Sequence, residues 1–341
     1  MAKDNIALQR LTPFYPPQWG IVGSDIPLGI RTQSDAIVLF VSTVHPGRND
    51  NNSGTNPEAP CATVQGAVTK LIAHQTALGV SLAGSQIIVG AGSALVENVI
   101  IPVTAPKNCA ILGMVAGGGG MSPTWRAATG AGTALIVRQE DWRISGFTFI
   151  VPATGTSIRL DWSASGNGSG TLIDHNMFST FQLANGRYAI EFTGAPYNVT
   201  ICDNEFSEIA SGASTAFAIY TSTTPTADPL QCRIERNLFR DVDNMIGSLA
   251  SSHGFGGTVI KDNVFALPGQ LPVTLVIDLR GGHVGANTVT GNHFAASADY
   301  SQPGGYWDCA ALPGYWTGNF SVDTAEAEVG DNCITLLPPA A

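Results

Sequence analysis

One six-residue pattern, which recurs through the middle of the chain, constrains the fold more than any other feature of the sequence. It reads IDHNMF, ICDNEF, IERNLF, IKDNVF and VTGNHF, and each copy places an asparagine two residues before a phenylalanine. Successive asparagines are 28, 33, 26 and 29 residues apart, a spacing typical of solenoids, whose units bury their apolar faces only by stacking on neighbours. The five asparagines are Asn176, Asn204, Asn237, Asn263 and Asn292.

The residues inside each copy indicate strands. A branched aliphatic residue, the asparagine and the phenylalanine alternate with variable residues, which is the pattern of a strand with one buried face. Asparagine amides that recur in register can hold the turns and satisfy one another, so we expect the five to stack as a ladder. A blurred earlier copy has Phe147 in the asparagine position, and a degraded last copy has Asn319 there.

A second strand accompanies each copy and predicts a second parallel sheet. The aligned stretches are 158–162, 188–192, 217–220, 245–247 and 275–279, each with aliphatic or aromatic residues at alternate positions. Their common order and phase in every unit favour parallel pairing over hairpins.

The solenoid is preceded by a polar loop, GRNDNNSGTNPEAP at residues 47–60, and a helical pattern. The pattern predicts a helix at about 62–79 that covers the apolar end of the first coil, as solenoids require. The residues expected on its buried face are Val64, Ala67, Val68, Leu71, Ile72 and Leu78.

Two stretches at this end of the chain resemble a known family. They are VSTVHPGRNDNNSGTNPEAPCATVQGAV, from Val41 to Val68, and IIVGAG at 87–92 followed by Glu97 and Asn98. Both resemble the start of right-handed parallel β-helix proteins of the pectate-lyase-like superfamily, which includes phage tailspikes and virion β-helices. The resemblance implies an all-β, right-handed parallel β-helix solenoid over about residues 38–295. The superfamily contains lyases, hydrolases, esterases and non-enzymes, so no reaction is implied.

The sequence predicts three segments. Residues 1–37 contain Phe14, Tyr15 and Trp19 among prolines, which suggests an extended N-terminal arm that anchors the chain to another protein. The alternative is a strand or loop packed on the chain's own β-helix. Residues 38–299 are expected to form the β-helix with its capping helix, and residues 300–341 a C-terminal cap or a subunit contact.

Composition narrows the classes of partner. The formal net charge is −10, and 12% of residues are charged against about 25% in typical domains. Neither nucleic acid nor a membrane is therefore expected as a partner. The N-terminus shows no secretory signal, so we expect assembly in the host cytoplasm. The six cysteines contain no C-x-x-C pair and are interpreted as reduced thiols, and no metal or other cofactor is expected.

Two outward columns of residues are candidate sites. The residues before the ladder asparagines have alternating charge and suggest a structural charge ladder; they are His175, Asp203, Arg236, Asp262 and Gly291. On the second strand, Asp161 and Glu191 are expected to face outward on adjacent coils, about 4.8 Å apart, with Tyr220 on the next coil. Such a pair could serve a retaining glycosidase, whereas a solvated acidic patch is the simpler explanation.

Three functional hypotheses follow. The first is a non-catalytic structural virion protein, a bacteriophage capsid-decoration or spike subunit that forms a homotrimer and contacts capsid or other virion proteins. The second is a tailspike-like polysaccharide lyase or glycoside hydrolase that uses Asp161, Glu191 and Tyr220 on a host surface polysaccharide. The third is a carbohydrate-binding module that uses Tyr220 and the loop at 221–232 without chemistry.

Overall fold

The computed structural model describes residues 35–114, 122–163, 166–180, 187–209, 216–222, 228–242, 244–248, 254–267, 275–279, 287–296, 307–308, 314–323 and 333–335. The predicted anchoring residues Phe14, Tyr15 and Trp19 lie outside these ranges, as does most of the predicted arm. Residues 223–227 of the loop at 221–232 also lie outside them.

The described chain contains one helix, α1 (Val64–Leu78), and its strands form three sheets. In sheet A the order is β1 (Val38–Val41), β2 (Gln86–Val89), β5 (Ala110–Gly113), β8 (Arg143–Ser145), β12 (Leu172–Asp174), β15 (Thr200–Cys202), β18 (Arg233–Glu235), β21 (Val259–Lys261), β24 (Asn287–Thr290) and β27 (Gly314–Thr317). In sheet B it is β3 (Ala94–Val96), β6 (Thr124–Arg126), β9 (Thr148–Ile150), β13 (Met177–Ser179), β16 (Glu205–Ile209), β19 (Leu238–Val242), β22 (Val264–Leu267), β25 (His293–Ala296), β28 (Phe320–Asp323) and β29 (Cys333–Thr335). In sheet C it is β4 (Val99–Ile101), β7 (Thr133–Val137), β10 (Thr156–Ser163), β14 (Tyr188–Thr193), β17 (Phe217–Thr221), β20 (Asn244–Gly247), β23 (Leu275–Asp278) and β26 (Trp307–Asp308), and β11 (Gly166–Asn167) pairs with β10.

Each coil contributes one strand to sheet A, then to B, then to C, and pairs in parallel with the next coil. The exceptions are β11 and β29, which pair antiparallel with β10 and β28. The predicted all-β parallel β-helix is therefore confirmed. The predicted boundary at residue 299 is wrong, because β26, β27 and β28 continue sheets C, A and B beyond it.

The repeated pattern forms a corner between two strands, where a single strand had been expected. In the copy IDHNMF, β12 ends at Asp174 and β13 begins at Met177, so His175 and Asn176 make the turn. His175 has a left-handed φ of 53°, and Asp203, Arg236 and Asp262 each have a φ of 56°. Each of these residues turns the chain, while the asparagine after it still points inward.

The asparagine ladder is confirmed. The backbone N–H and the Nδ2 of Asn204 both donate to Oδ1 of Asn237 at 3.0 Å, and Asn237 donates in the same way to Asn263. The ladder extends to Asn319, as the degraded last copy predicted, and begins where the N–H of Phe147 donates to Oδ1 of Asn176. The six amides are buried and fix the corner of each coil.

The phenylalanines of the repeat stack inside the β-helix beside the ladder. Phe178, Phe206 and Phe239 have neighbouring ring centroids 4.9 and 4.8 Å apart, with planes within 7° of parallel. The stack continues in both directions, to Phe149 on one side and to Phe265 and Phe294 on the other. It joins consecutive coils through one continuous apolar core.

The predicted helix is present and contacts β1, β2 and β4, strands at the start of the solenoid. Its first turn is held by carboxylates: Asp50 accepts from the N–H of Thr63 at 3.0 Å, and Glu97 accepts from the N–H of Val64 at 2.9 Å. Thr63 is the N-cap of the helix and accepts from the N–H of Gly66, and Asp50 of the polar loop at 47–60 holds Thr63 in place. Leu78 was expected on the buried face but is 57% exposed.

Within the described ranges, no helix is both long and apolar enough to span a membrane.

Candidate functional site

The predicted pairing of Asp161 with Glu191 is wrong. In the parallel register between β10 and β14, Asp161 lies opposite Thr193, and Glu191 lies opposite Arg159. The outward column that contains Glu191 and Tyr220 therefore holds Arg159 on the preceding coil. The two carboxylates are offset by two residues along the strands, so the geometry expected for a retaining pair is absent at these positions.

Both carboxylates are also buried and neutralised by arginines. Asp161 is 6% exposed, and one of its oxygens accepts a 2.7 Å hydrogen bond from Nε of Arg138. Glu191 is 7% exposed and accepts from Nε of Arg159 and from the hydroxyl of Thr156, both at 2.8 Å. Each carboxylate is therefore already engaged in an ion pair within the chain.

Tyr220 is buried, although it was expected on an exposed face. Its ring stacks on that of Tyr188 at 4.0 Å between centroids, and Phe217 completes the cluster. Burial raises the pKa of the Tyr220 phenol, with the neighbouring Tyr188 adding to the shift. The phenol therefore stays protonated at neutral pH and does not serve as a base.

A groove at the corner between sheets A and B is the best candidate site in the described chain. It has a volume of about 590 Å³ and crosses successive coils. Its walls are two outward columns: the corner residues before each ladder position, and the first residues of the sheet B strands. We call it the corner groove; it is lined by Ser122, Gly146, Phe147, Thr148, His175, Asn176, Met177, Asp203, Asn204, Glu205, Arg236 and Leu238.

His175 is oriented by a buried carboxylate. Its Nδ1 lies 2.9 Å from Oδ2 of Asp174, and Asp174 is 3% exposed. The other carboxylate oxygen of Asp174, Oδ1, accepts a 2.9 Å hydrogen bond from Nε of Arg143. The His175 side chain is 50% exposed, and Nε2 makes no hydrogen bond within the described ranges. A fixed imidazole with one ring nitrogen available is therefore presented in the groove.

The other charged residues of the groove are paired. Arg236 donates from Nε and Nη2 to the two oxygens of Asp203, both at 2.9 Å. Arg240, beside the groove, donates to Glu205 at 2.9 Å. The hydrogen bond from Arg236 is the main cause of a lowered pKa for Asp203. The groove therefore presents ion pairs that are already formed.

We expect the Asp203–Arg236 pair to make stability depend on pH. Because the pKa of Asp203 is lowered in the folded state, its stabilisation is present above the ordinary value of 3.8 and is lost as pH falls through the folded-state pKa. The pair is partly exposed, so the contribution is about 0.5 to 1 kcal/mol. Urea unfolding of the wild type and Asp203→Asn should differ by this amount at pH 7 and converge at strongly acidic pH. A constant difference would contradict the assignment.

The four cysteines whose side chains the structure describes do not line the groove. Cys61, Cys109, Cys202 and Cys232 are buried free thiols, and burial raises their pKa values to about 11 for Cys61 and about 12 for the other three. Among the described residues, no three His, Cys, Asp or Glu side chains are grouped to hold a metal ion.

The sequence had singled out His175, Asp203 and Arg236 only as a structural ladder, and it missed Met177, Glu205 and Leu238. These three occupy the variable position between the ladder asparagine and the phenylalanine. The alternating pattern places that position outward, beside the corner residue, and this was the signal available.

Comparisons with known proteins identify no family. No family model and no curated protein matches the chain. An alginate lyase from Paenibacillus sp. str. FPU-7 is 16% identical with a TM-score of 0.49, and the match covers 76% of this chain and 94% of that chain. GH136 lacto-N-biosidase from Eubacterium ramulus is 12% identical with a TM-score of 0.30, covering 84% and 68% of the two chains. The assignment as a parallel β-helix is based on the strand pairing described above.

Proposed function

We propose that the protein binds an extended polysaccharide in the corner groove. The observation that carries the proposal is the shape and lining of this groove, which runs across stacked coils and changes its side chains once per coil. Neighbouring strands are about 4.8 Å apart, so hydrogen-bonding groups recur at an interval comparable to the length of one sugar unit. A linear polymer of sugars can therefore contact several coils at once.

The lining has the two kinds of group that sugars require. His175, Asp203, Glu205 and Arg236 provide hydrogen-bonding groups for hydroxyls. Met177 and Leu238 are half-buried and present apolar surface to the C–H faces of a sugar ring. The ion pairs hold the polar side chains in place before binding, which lowers the entropy cost of association.

The proposal is for binding without cleavage by Asp161 and Glu191, because both carboxylates are engaged by arginines. Polysaccharide binding is compatible with the spike role predicted above. The virion location, the capsid partners and the homotrimer stay predictions.

Replacing His175 with glycine is expected to weaken polysaccharide binding about tenfold, which corresponds to the loss of one good hydrogen bond. Glycine suits the position because Gly146, Gly291 and Gly318 occupy the same corner in other coils with positive φ. Binding should be measured by affinity electrophoresis in gels containing neutral or acidic polysaccharides, and then by calorimetry with oligosaccharides.

The matched control is Asp262→Gly. Asp262 has the same corner conformation, with a φ of 56°, but does not line the groove. If the His175→Gly variant and the wild type bound polysaccharide with equal affinity, the corner groove would not be the binding site. Failure of the wild type to bind any polysaccharide would reject the function. Release of reducing ends that disappears in Asp161→Asn and Glu191→Gln variants would instead restore the catalytic hypothesis.

A further inference from the structure

We infer that the corner groove selects a neutral polysaccharide and rejects acidic ones. This inference rests on the proposed function and specifies its ligand. It follows from how the charges of the groove are already used within the chain.

The guanidinium of Arg236, which lines the groove, is already engaged on its Nε/Nη2 edge and at Nη1. Arg236 gives Nε and Nη2 to Asp203, and its Nη1 lies 3.2 Å from Oε1 of Glu235. Bidentate recognition of a carboxylate or sulfate requires two adjacent guanidinium N–H groups directed at the ligand. An acidic sugar that binds the Nε/Nη2 edge would have to displace Asp203, and the displaced carboxylate would lose its partner.

The neighbouring charges cancel in the same manner. Two carboxylates, Asp203 and Glu205, face two guanidinium groups, Arg236 and Arg240, and the four sum to zero. Behind the corner, Glu235 lies 3.8 Å from Nζ of Lys261, so the second carboxylate near Arg236 also has a cation. Across the whole chain the net charge is −10, which adds repulsion toward a polyanion.

A neutral sugar can form hydrogen bonds through its hydroxyl groups without breaking any of these ion pairs. A carboxylate oxygen in an ion pair still has lone pairs that can accept from a sugar hydroxyl, and Nε2 of His175 can take part in another hydrogen bond. The apolar surfaces of Met177 and Leu238 carry no charge preference. The ligand class that fits is a neutral, extended polysaccharide.

The test uses one variant that frees the Nε/Nη2 edge of Arg236 without changing the shape of the groove. Asp203→Asn keeps the size of the side chain, and asparagine tolerates the left-handed conformation at this corner. The variant and the wild type are run in gels containing either a neutral β-glucan or polygalacturonate, at low and high salt. Circular dichroism confirms that each protein is folded.

The wild type is expected to be retarded by the neutral glucan alone. Asp203→Asn should gain at least about tenfold in affinity for polygalacturonate, and high salt should abolish that gain. The control is Asp161→Asn, which removes the same charge and frees Arg138 in a different sheet, so it separates groove recognition from a general charge effect.

The outcomes distinguish the two proposals. Salt-sensitive retardation of the wild type by polygalacturonate would overturn the neutral-ligand inference and leave polysaccharide binding intact. Equal gains in the Asp203→Asn and Asp161→Asn variants would also overturn it. Failure of the wild type to bind any polysaccharide, neutral or acidic, would overturn both the inference and the proposed function.

Discussion

Replacing Asn237 with alanine is expected to destabilise the protein by about 3 to 5 kcal/mol. The Asn237 amide donates to the carbonyl oxygens of Ile201 and Glu235 and to Oδ1 of Asn263, and its own Oδ1 accepts from Asn204. Alanine removes all of these hydrogen bonds and leaves the buried backbone N–H of Asn204 without its acceptor. Each buried group left unsatisfied costs about 1 to 3 kcal/mol. Urea unfolding followed by circular dichroism measures the effect.

The control for this substitution is Asn51→Ala, an exposed asparagine in the polar loop. It should change the free energy of unfolding by less than about 0.5 kcal/mol. Hydrogen exchange should also locate the damage, because coils contact only their neighbours and amides near Asn204 and Asn263 should lose protection first. An Asn237→Ala variant as stable as Asn51→Ala would refute the ladder as a source of stability.

The second large effect is expected for Phe206→Ala, at about 3 to 5 kcal/mol. The ring is fully buried and stacks on Phe178 and Phe239 at 4.9 and 4.8 Å. Alanine leaves a cavity between two rings that backbone pairing holds in place, so the coils cannot collapse into it. Thermal and urea unfolding of the purified variant test this.

Val264→Ala is the matched control, because Val264 lies on the outward face of the same sheet and is 39% exposed. Its loss should cost less than about 1 kcal/mol. If Phe206→Ala cost no more than Val264→Ala, the stack would be incidental to stability. An equal cost for Phe178→Ala would show that these two rings contribute alike.

The fold and the ladder could be predicted because their signals repeat. Asn204 alone could satisfy many environments, but six asparagines at the same phase have one common explanation, which the hydrogen bonds confirm. The corner itself was missed. Alternation of inward and outward residues continues through His175, so the pattern does not show that the strand ends there.

The register of sheet C could not be predicted for a related reason. Ile158 pairs with Ile190, whereas the sequence alignment had placed Leu160 there. A shift of two residues keeps every side chain on the same face, so the aliphatic pattern fits both alignments equally well. Only the turns on either side of each strand fix its register, and the lengths of these turns vary from coil to coil.

The sequence could predict which residues lie together in the corner groove, but it could not predict all of their interactions. Periodicity places Asp203 and Arg236 on adjacent coils, and their ion pair follows from that placement. The orientation of His175 by Asp174 could not be predicted from periodicity. It depends on Arg143, which holds the Asp174 carboxylate from a different coil.

The hydrogen bonds of the ladder have a direction along the chain, and this has a consequence for biosynthesis. The backbone N–H of each ladder asparagine donates to Oδ1 of the asparagine in the following coil, and not to that of the preceding coil. During translation, the newest coil therefore keeps an unsatisfied donor until the next has left the ribosome and docked. Maturation should trail elongation by one coil, with the growing end always the least stable part of the nascent chain.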